Sequence, residues 1–198
     1  MARSWRIGAG ATVLALVASV MLAGSASAYE YLSCHWGTTS PTYRIVLNNS
    51  PTTDIVAAAG RWNEPQNDVT LVKTTSSTHD ISVYDTQMVN YGWTGIVSAR
   101  GDVTYIPSNC SGGHWARGAL QLVVNTKYSS TSSSRRAGTA THEFGHALGL
   151  DHNSTVSVCP GGGTDYLSIM YPSTAKYSGN CARFHPSGID INAIKARY

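Results

Sequence analysis

Apolar and polar positions alternate over short runs in the first half of the chain and shift to helical spacing in three places. Thr42 to Leu47 (TYRIVL) alternates and predicts a strand. Thr53 to Trp62 (TDIVAAAGRW) has helical spacing, with Ile55, Val56, Ala59 and Trp62 on one side and Pro65 as the stop. Val69 to Lys73 and Asp80 to Tyr84 read as short strands separated by the polar stretch Thr74 to His79. Gly95 to Pro107 has room for one or two more strands, and Leu120 to Val124 predicts another. The Ser/Thr-rich run Ser129 to Ser134 suits a surface loop leading to a helix N-cap. The helix itself is predicted over about Arg135 to Leu148, with Ala137, Ala140, Phe144, Ala147 and Leu148 inward and Gly149 at its end. Asn153 to Arg183 is rich in Gly, Ser and Pro and reads mostly as loop. Ser187 to Tyr198 predicts a last helix, capped by Ser187 and docked by Ile189, Ile191 and Ile194. No internal repeat is visible. Strands with one helix, then a helix, a long loop and a terminal helix, predict an α+β domain.

Composition changes this picture at the N-terminus. Arg3 and Arg6 precede an apolar run from about Ala9 to Ala23, which ends in the small residues Ala26-Ser27-Ala28. That is the pattern of a secretory signal peptide, and the run is too short to span a bilayer comfortably. Residues 1–28 are therefore set apart, and 29–198 form one domain of a length that supports a real core. The formal charge of +3 falls to +1 without Arg3 and Arg6. So balanced a chain gives no electrostatic case for nucleic acid or an anionic membrane as partner. The mature protein is read as a secreted monomer.

The four cysteines, Cys34, Cys110, Cys159 and Cys181, point the same way. An even count in a secreted chain predicts two disulfides. Of the three pairings, Cys34–Cys110 with Cys159–Cys181 is favoured, because the second closes a short local loop. A cysteine-rich zinc site is the alternative, and the absence of C-x-x-C spacing weakens it.

The candidate chemistry lies in residues 142 to 152, HEFGHALGLDH. Residues i and i+4 share one face of a helix, so His142 and His146 can point at one metal ion. Glu143 is one residue further round and would lean beside the metal, where a general base belongs. Gly149 lets the chain turn back and bring in a third ligand. Spacing alone leaves Asp151 and His152 both open for that place.

The stretch resembles the metzincin zinc-protease pattern H-E-x-x-H-x-x-G-x-x-H at His142, Glu143, His146, Gly149 and His152. That resemblance selects His152 as third ligand and assigns Asp151 a supporting or surface contact. Ser168-Ile169-Met170-Tyr171-Pro172 (SIMYP) resembles the metzincin Met-turn, in which a methionine forms an apolar base under the ligands without binding the ion. The form SIMYP and the run TATHEFGHALGLDH (139–152) look most like the matrixins. TYRI (42–45), RWN (61–63), HDISVYD (79–85) and DINAIKARY (190–198) resemble their first strand, first helix, third strand and last helix.

The resemblance implies a zincin-like α+β domain with a twisted mixed sheet, an active-site helix, a Met-turn loop and a C-terminal helix. It implies one catalytic zinc on His142, His146 and His152, with Glu143 as general base for peptide hydrolysis. It also implies a cleft beneath an edge strand, to be sought within Gly95 to Pro107, where an extended substrate lies antiparallel. The chain departs from the matrixins in three respects. No P-R-C-G cysteine switch stands between the leader and the domain. No counterpart of their structural-zinc loop lies between Asp85 and Gln121, so a single zinc is expected, and calcium is not indicated. Pro172 is followed by Ser173-Thr174 where a Pro-x-Tyr pocket wall is usual. Tyr171 follows Met170 directly, so no oxyanion role is assigned to it.

Other features are read plainly. His35, His79, His114 and His185 are taken as structural or surface residues. Arg100-Gly101-Asp102 spells RGD and is read as a β-turn. Asn48, Asn109 and Asn153 head N-x-S/T patterns, which matter only if the host glycosylates. The leading expectation is a secreted zinc metalloendopeptidase acting on a protein or peptide substrate. Two rivals stand beside it: a zinc hydrolase of cell-wall peptide cross-links, and a non-catalytic binding protein on the same fold.

Overall fold

The structure is a computed structural model, and it describes residues 29–48, 52–64, 68–104, 106–108, 110–129, 132–154, 168–172 and 184–198. The expected leader, 1–28, and the expected Cys159–Cys181 bond lie outside these residues.

Among the described residues five strands form one sheet. They are β1 (Thr42–Asn48), β2 (Val72–Lys73), β3 (Ile81–Thr86), β4 (Gly95–Ala99) and β5 (Leu120–Asn125), in the order β2-β1-β3-β5-β4. All neighbours are parallel except β4, which runs antiparallel to β5 and forms one edge. Strands β3 and β5 lie inside the sheet, and their sequences are almost continuously buried, as interior strands require. The Val69 to Lys73 expectation shrinks to Val72–Lys73, although Val69 and Leu71 are still buried in the core. Among the described residues of Gly95 to Pro107 one strand forms, because the chain turns at the RGD segment: Asp102 N–H donates to Ala99 O at 3.0 Å and Gly101 takes φ +86°. That turn is the plain β-turn the sequence suggested.

Helix α1 spans Thr53–Trp62 as expected, but it buries Ile55, Ala58, Ala59 and Trp62, while Val56 is exposed. The short helix α2 (Thr126–Ser129) follows β5 directly and is not visible in the spacing of apolar residues. Helix α3 (Ser133–Ala147) starts two residues before the expected Arg135, because Ser132 caps it by accepting from Arg135 N–H at 3.1 Å. Helix α4 (Gly188–Arg197) is capped by Ser187 as expected. Its docking differs from expectation. Ile194 is fully buried with Ala193 and Asp190, whereas Ile189 is exposed.

The core joins sheet and helices. Tyr43 of β1 meets Phe144 of α3 edge-on, with ring centroids 5.3 Å apart. Trp62 of α1 is fully buried and donates its indole N–H to Thr141 O of α3 at 2.8 Å. A partly buried ion pair joins the first turns of the two helices, with Arg136 Nε 2.6 Å from Asp54 Oδ2. The Cys34–Cys110 disulfide forms as favoured, with its Cα atoms 6.0 Å apart. Among the described residues no helix is long and apolar enough to cross a membrane. Helix α3 lies against β4 and β5, and Gly95 at the start of the edge strand β4 meets Thr139 and Glu143 of α3.

Candidate metal centre

The C-terminal half of α3 carries His142, Glu143 and His146, all nearly buried at 4–6 % exposure. The imidazoles of His142 and His146 converge, with their Nε2 atoms 3.1 Å apart. His152 arrives from the segment after the helix and places its Nε2 3.2 Å from that of His146. The three can hold one metal ion, with His142 and His146 buried and His152 exposed.

The turn that delivers His152 is built by Gly149. Leu150 N–H donates to Gly145 O at 3.0 Å and Gly149 N–H to His146 O at 2.9 Å, which together make a Schellman motif. Gly149 takes φ +91°, a conformation that favours glycine. A side chain there would also press on Arg197 Nε at 2.7 Å and Cys34 O at 2.9 Å. After the turn, Leu32 N–H donates to Gly149 O at 3.0 Å and Asp151 N–H to Glu30 O at 3.0 Å, so the returning chain is stitched to the N-terminal segment.

Backbone carbonyls set the ring orientations. His142 Nδ1 lies 2.7 Å from Ile169 O, and His146 Nδ1 lies 2.8 Å from Leu150 O. A carbonyl only accepts, so each Nδ1 carries the proton and each Nε2 presents a lone pair. Lone pairs at this distance repel one another unless a shared proton or a metal ion stands between them. Nitrogens held about 2.05 Å from one tetrahedral ion stand about 3.3 Å apart, close to what is seen. Three imidazoles suit a borderline ion such as zinc better than calcium or magnesium, which take oxygen ligands.

Asp151 is not part of the group. Its Oδ1 accepts the His152 backbone N–H at 2.7 Å, so it braces the loop. That is the supporting contact the sequence resemblance assigned to it. Met170 is fully buried, and the turn carrying it is closed by Tyr171 N–H to Ser168 O at 3.2 Å and by Met170 N–H to Ser168 Oγ at 2.9 Å. Met170 O accepts Asn153 N–H at 3.0 Å, which ties this turn to the segment just after His152. Ser173 and Thr174, read as a departure in the pocket wall, lie outside the described residues.

Asp190 is the residue that sequence reasoning missed. It is fully buried, and its two oxygens receive Tyr29 Oη at 2.9 Å, Ile169 N–H at 3.0 Å, Ser187 N–H and Oγ at 2.6 Å each, and the Ser168 hydroxyl. One peptide unit further, Ile169 O holds His142 Nδ1. The first turn of α4 thus orients a candidate ligand on α3 through the Met170 turn. The Ser187-x-x-Asp190 spacing marks a capping box, but nothing local in the sequence points to the long-range bonds. Burial, with the Asp190 charge as the next cause, raises the Tyr29 phenol well above its usual range, so this hydroxyl stays protonated and donates.

The remaining histidines stay outside the metal group. His79 Nε2 lies 2.8 Å from Ser82 Oγ. His35 and His114 meet edge to face, with ring centroids 4.6 Å apart. His185 sits 3.7 Å from Glu64. Asn153, one of the three N-x-S/T positions, is buried. No protein-family model matches the chain.

Proposed function

We propose that this protein is a secreted zinc-dependent endopeptidase of metzincin type, closest to the matrixins, with His142, His146 and His152 holding the ion. The observation that carries the reading is the meeting of His146 Nε2 with those of His142 and His152 at 3.1 and 3.2 Å, with the buried Glu143 next to His142 in sequence. Zinc bound by three imidazoles acidifies a water and offsets negative charge on a carbonyl oxygen.

The chain's own residues supply the rest. Glu143 follows His142 directly on α3 and so leans to the side of the group. As general base it takes a proton from the attacking water and passes it to the leaving amine. Its nearly buried setting keeps competing water away and strengthens its interaction with developing charge. The rings of His142 and His146 are locked by Ile169 O and Leu150 O, so they cost little reorganisation during the reaction. Strand β4 is the sheet edge above α3, and an extended peptide laid antiparallel to it would bring a scissile carbonyl to Glu143. The Cys34–Cys110 bond and the leader-like residues 1–28 support a secreted setting.

The test is a casein or gelatin zymogram with the zinc-loaded chain. Clearing that a chelator abolishes and zinc restores is the expected result. No clearing, with sacculi digested instead, would move the reading to cell-wall cross-links. No digestion of either would leave a binding protein.

A further inference from the structure

Strand β4 begins at Gly95, and this glycine meets the face of α3 that carries Glu143. A Cβ built on Gly95 would stand 2.7 Å from Glu143 Oε1, 2.8 Å from Glu143 Cγ and 2.7 Å from Thr139 Cγ2. Non-bonded atoms settle at about 3.5–4.0 Å, so no side chain fits there as the parts now stand. The backbone does not itself demand glycine. Gly95 is regular strand paired with Val124, and it is not among the glycines with positive φ. Glycine inside a strand weakens it and marks a close approach. Here the thing approached is a carboxylate.

Thr139 and Glu143 are one turn apart on α3, so their side chains form one surface, and both are buried. Behind Gly95 the strand cannot retreat. Asn125 N–H donates to Thr94 O at 2.8 Å, and the Asn125 amide donates to Trp93 O and Met88 O at 3.0 Å each. The same Asn125 side chain accepts Met88 N–H at 2.9 Å, so the whole approach to β4 is pinned to the end of β5. The strand is thus braced on one side and pressed against Glu143 on the other.

We infer that Gly95 is a positioning residue for Glu143: the bare backbone at the start of the edge strand leaves the space that the carboxylate fills, and the strand wall fixes where the carboxylate stands relative to the three histidines. A methyl group at position 95 evicts the carboxylate, which is the movable end of its side chain. His142 and His146 keep their carbonyl partners, Ile169 O and Leu150 O. The cost therefore falls on the chemical step and not on metal binding.

This rests on the reading of Glu143 as general base, and the test separates the two. Gly95→Ala in the zinc-loaded full chain should lower kcat on a fluorogenic peptide about a hundredfold, the usual effect of a misplacement near 1 Å. KM should stay within about twofold, since binding along the strand is unaffected. Zinc content should stay at that of the wild type. The second readout needs no activity. In the metal-free chain Gly95→Ala should lower Tm in the native background and much less in a Thr139→Ser/Glu143→Ala background, which lacks all three crowding atoms. An insoluble variant in the first background that is soluble in the second is the same result. An unchanged kcat, or an equal loss of Tm in both backgrounds, would overturn the inference. A wild type without peptidase activity would count against the reading of the site, and the melting comparison would still decide the packing relation.

Discussion

The thioether of Met170 occupies the space that a side chain on Gly145 would fill. Gly145 lies on α3 between Glu143 and His146, and Trp62 Cζ2 closes the same space at 3.0 Å. The glycine of HEFGH therefore lets the Met170 turn and α1 press directly on the helix backbone under the histidines.

Gly145→Ala should overpack this contact and cost about 1–3 kcal/mol in denaturant unfolding. It should also weaken zinc binding about tenfold, because the turn that displaces with Met170 also holds His142. Met170→Leu, which nearly conserves volume, should cost less than about 1.5 kcal/mol. Equilibrium unfolding and a zinc-competition titration read both.

Asp190 should be the most sensitive position outside the metal group. Asp190→Ala leaves the Ser187, Ser168, Tyr29 and Ile169 donors without their buried acceptor. At roughly 1–3 kcal/mol for each donor left unsatisfied, a loss of about 4 kcal/mol or more is expected. Tyr29→Phe removes one of these bonds and should cost about 1 kcal/mol. Chemical denaturation of the metal-free variants measures this without interference from zinc linkage.

His152→Ala should reduce zinc affinity by more than about a hundredfold, whereas Asp151→Ala should reduce it about tenfold at most. The difference follows from their contacts: His152 turns Nε2 to the group, and Asp151 only accepts a backbone N–H. Competition with a chromogenic chelator would measure both, and equal losses would contradict the assignment.

Most of the helical framework and the candidate ligand pair were legible because they depend on local spacing. His142 and His146 sit four apart, Gly149 marks the turn, and Ser187 caps α4. Choosing His152 over Asp151 needed the family-like register, since spacing alone left both open. What local pattern did not carry is long-range. Val56 and Ile189 are apolar at helical spacing, yet the partner surfaces meet the faces beside them, and both stay exposed. Val69 to Lys73 keeps only a two-residue strand because β1 offers parallel partners only to Val72 and Lys73. Asp190 reads as an ordinary acidic residue in a first turn until the Met170 loop is brought to it. Gly95 likewise gains its meaning only from a neighbour 48 positions away in sequence.

His35 should introduce a loss of stability on acidification. Burial first, then the charges of Arg197 and His114, hold its imidazole below the usual histidine range. A histidine that binds its proton less readily in the folded chain costs stability as pH falls below the unfolded value, about 6.5, and contributes nothing at higher pH. Between about pH 7.5 and pH 5 the wild type should therefore lose more Tm than His35→Asn. Thermal melts of both chains across that range check the sign, and parallel curves would contradict it.

The central claim is that Glu143 works as a base beside a three-histidine zinc site. The direct measurement is Glu143→Gln, assayed for zinc content and for peptide hydrolysis in one preparation. The account predicts zinc equal to the wild type and hydrolysis reduced by about a hundredfold to ten-thousandfold, the usual contribution of a general base. Full hydrolysis by a clean, zinc-loaded Glu143→Gln chain would contradict it.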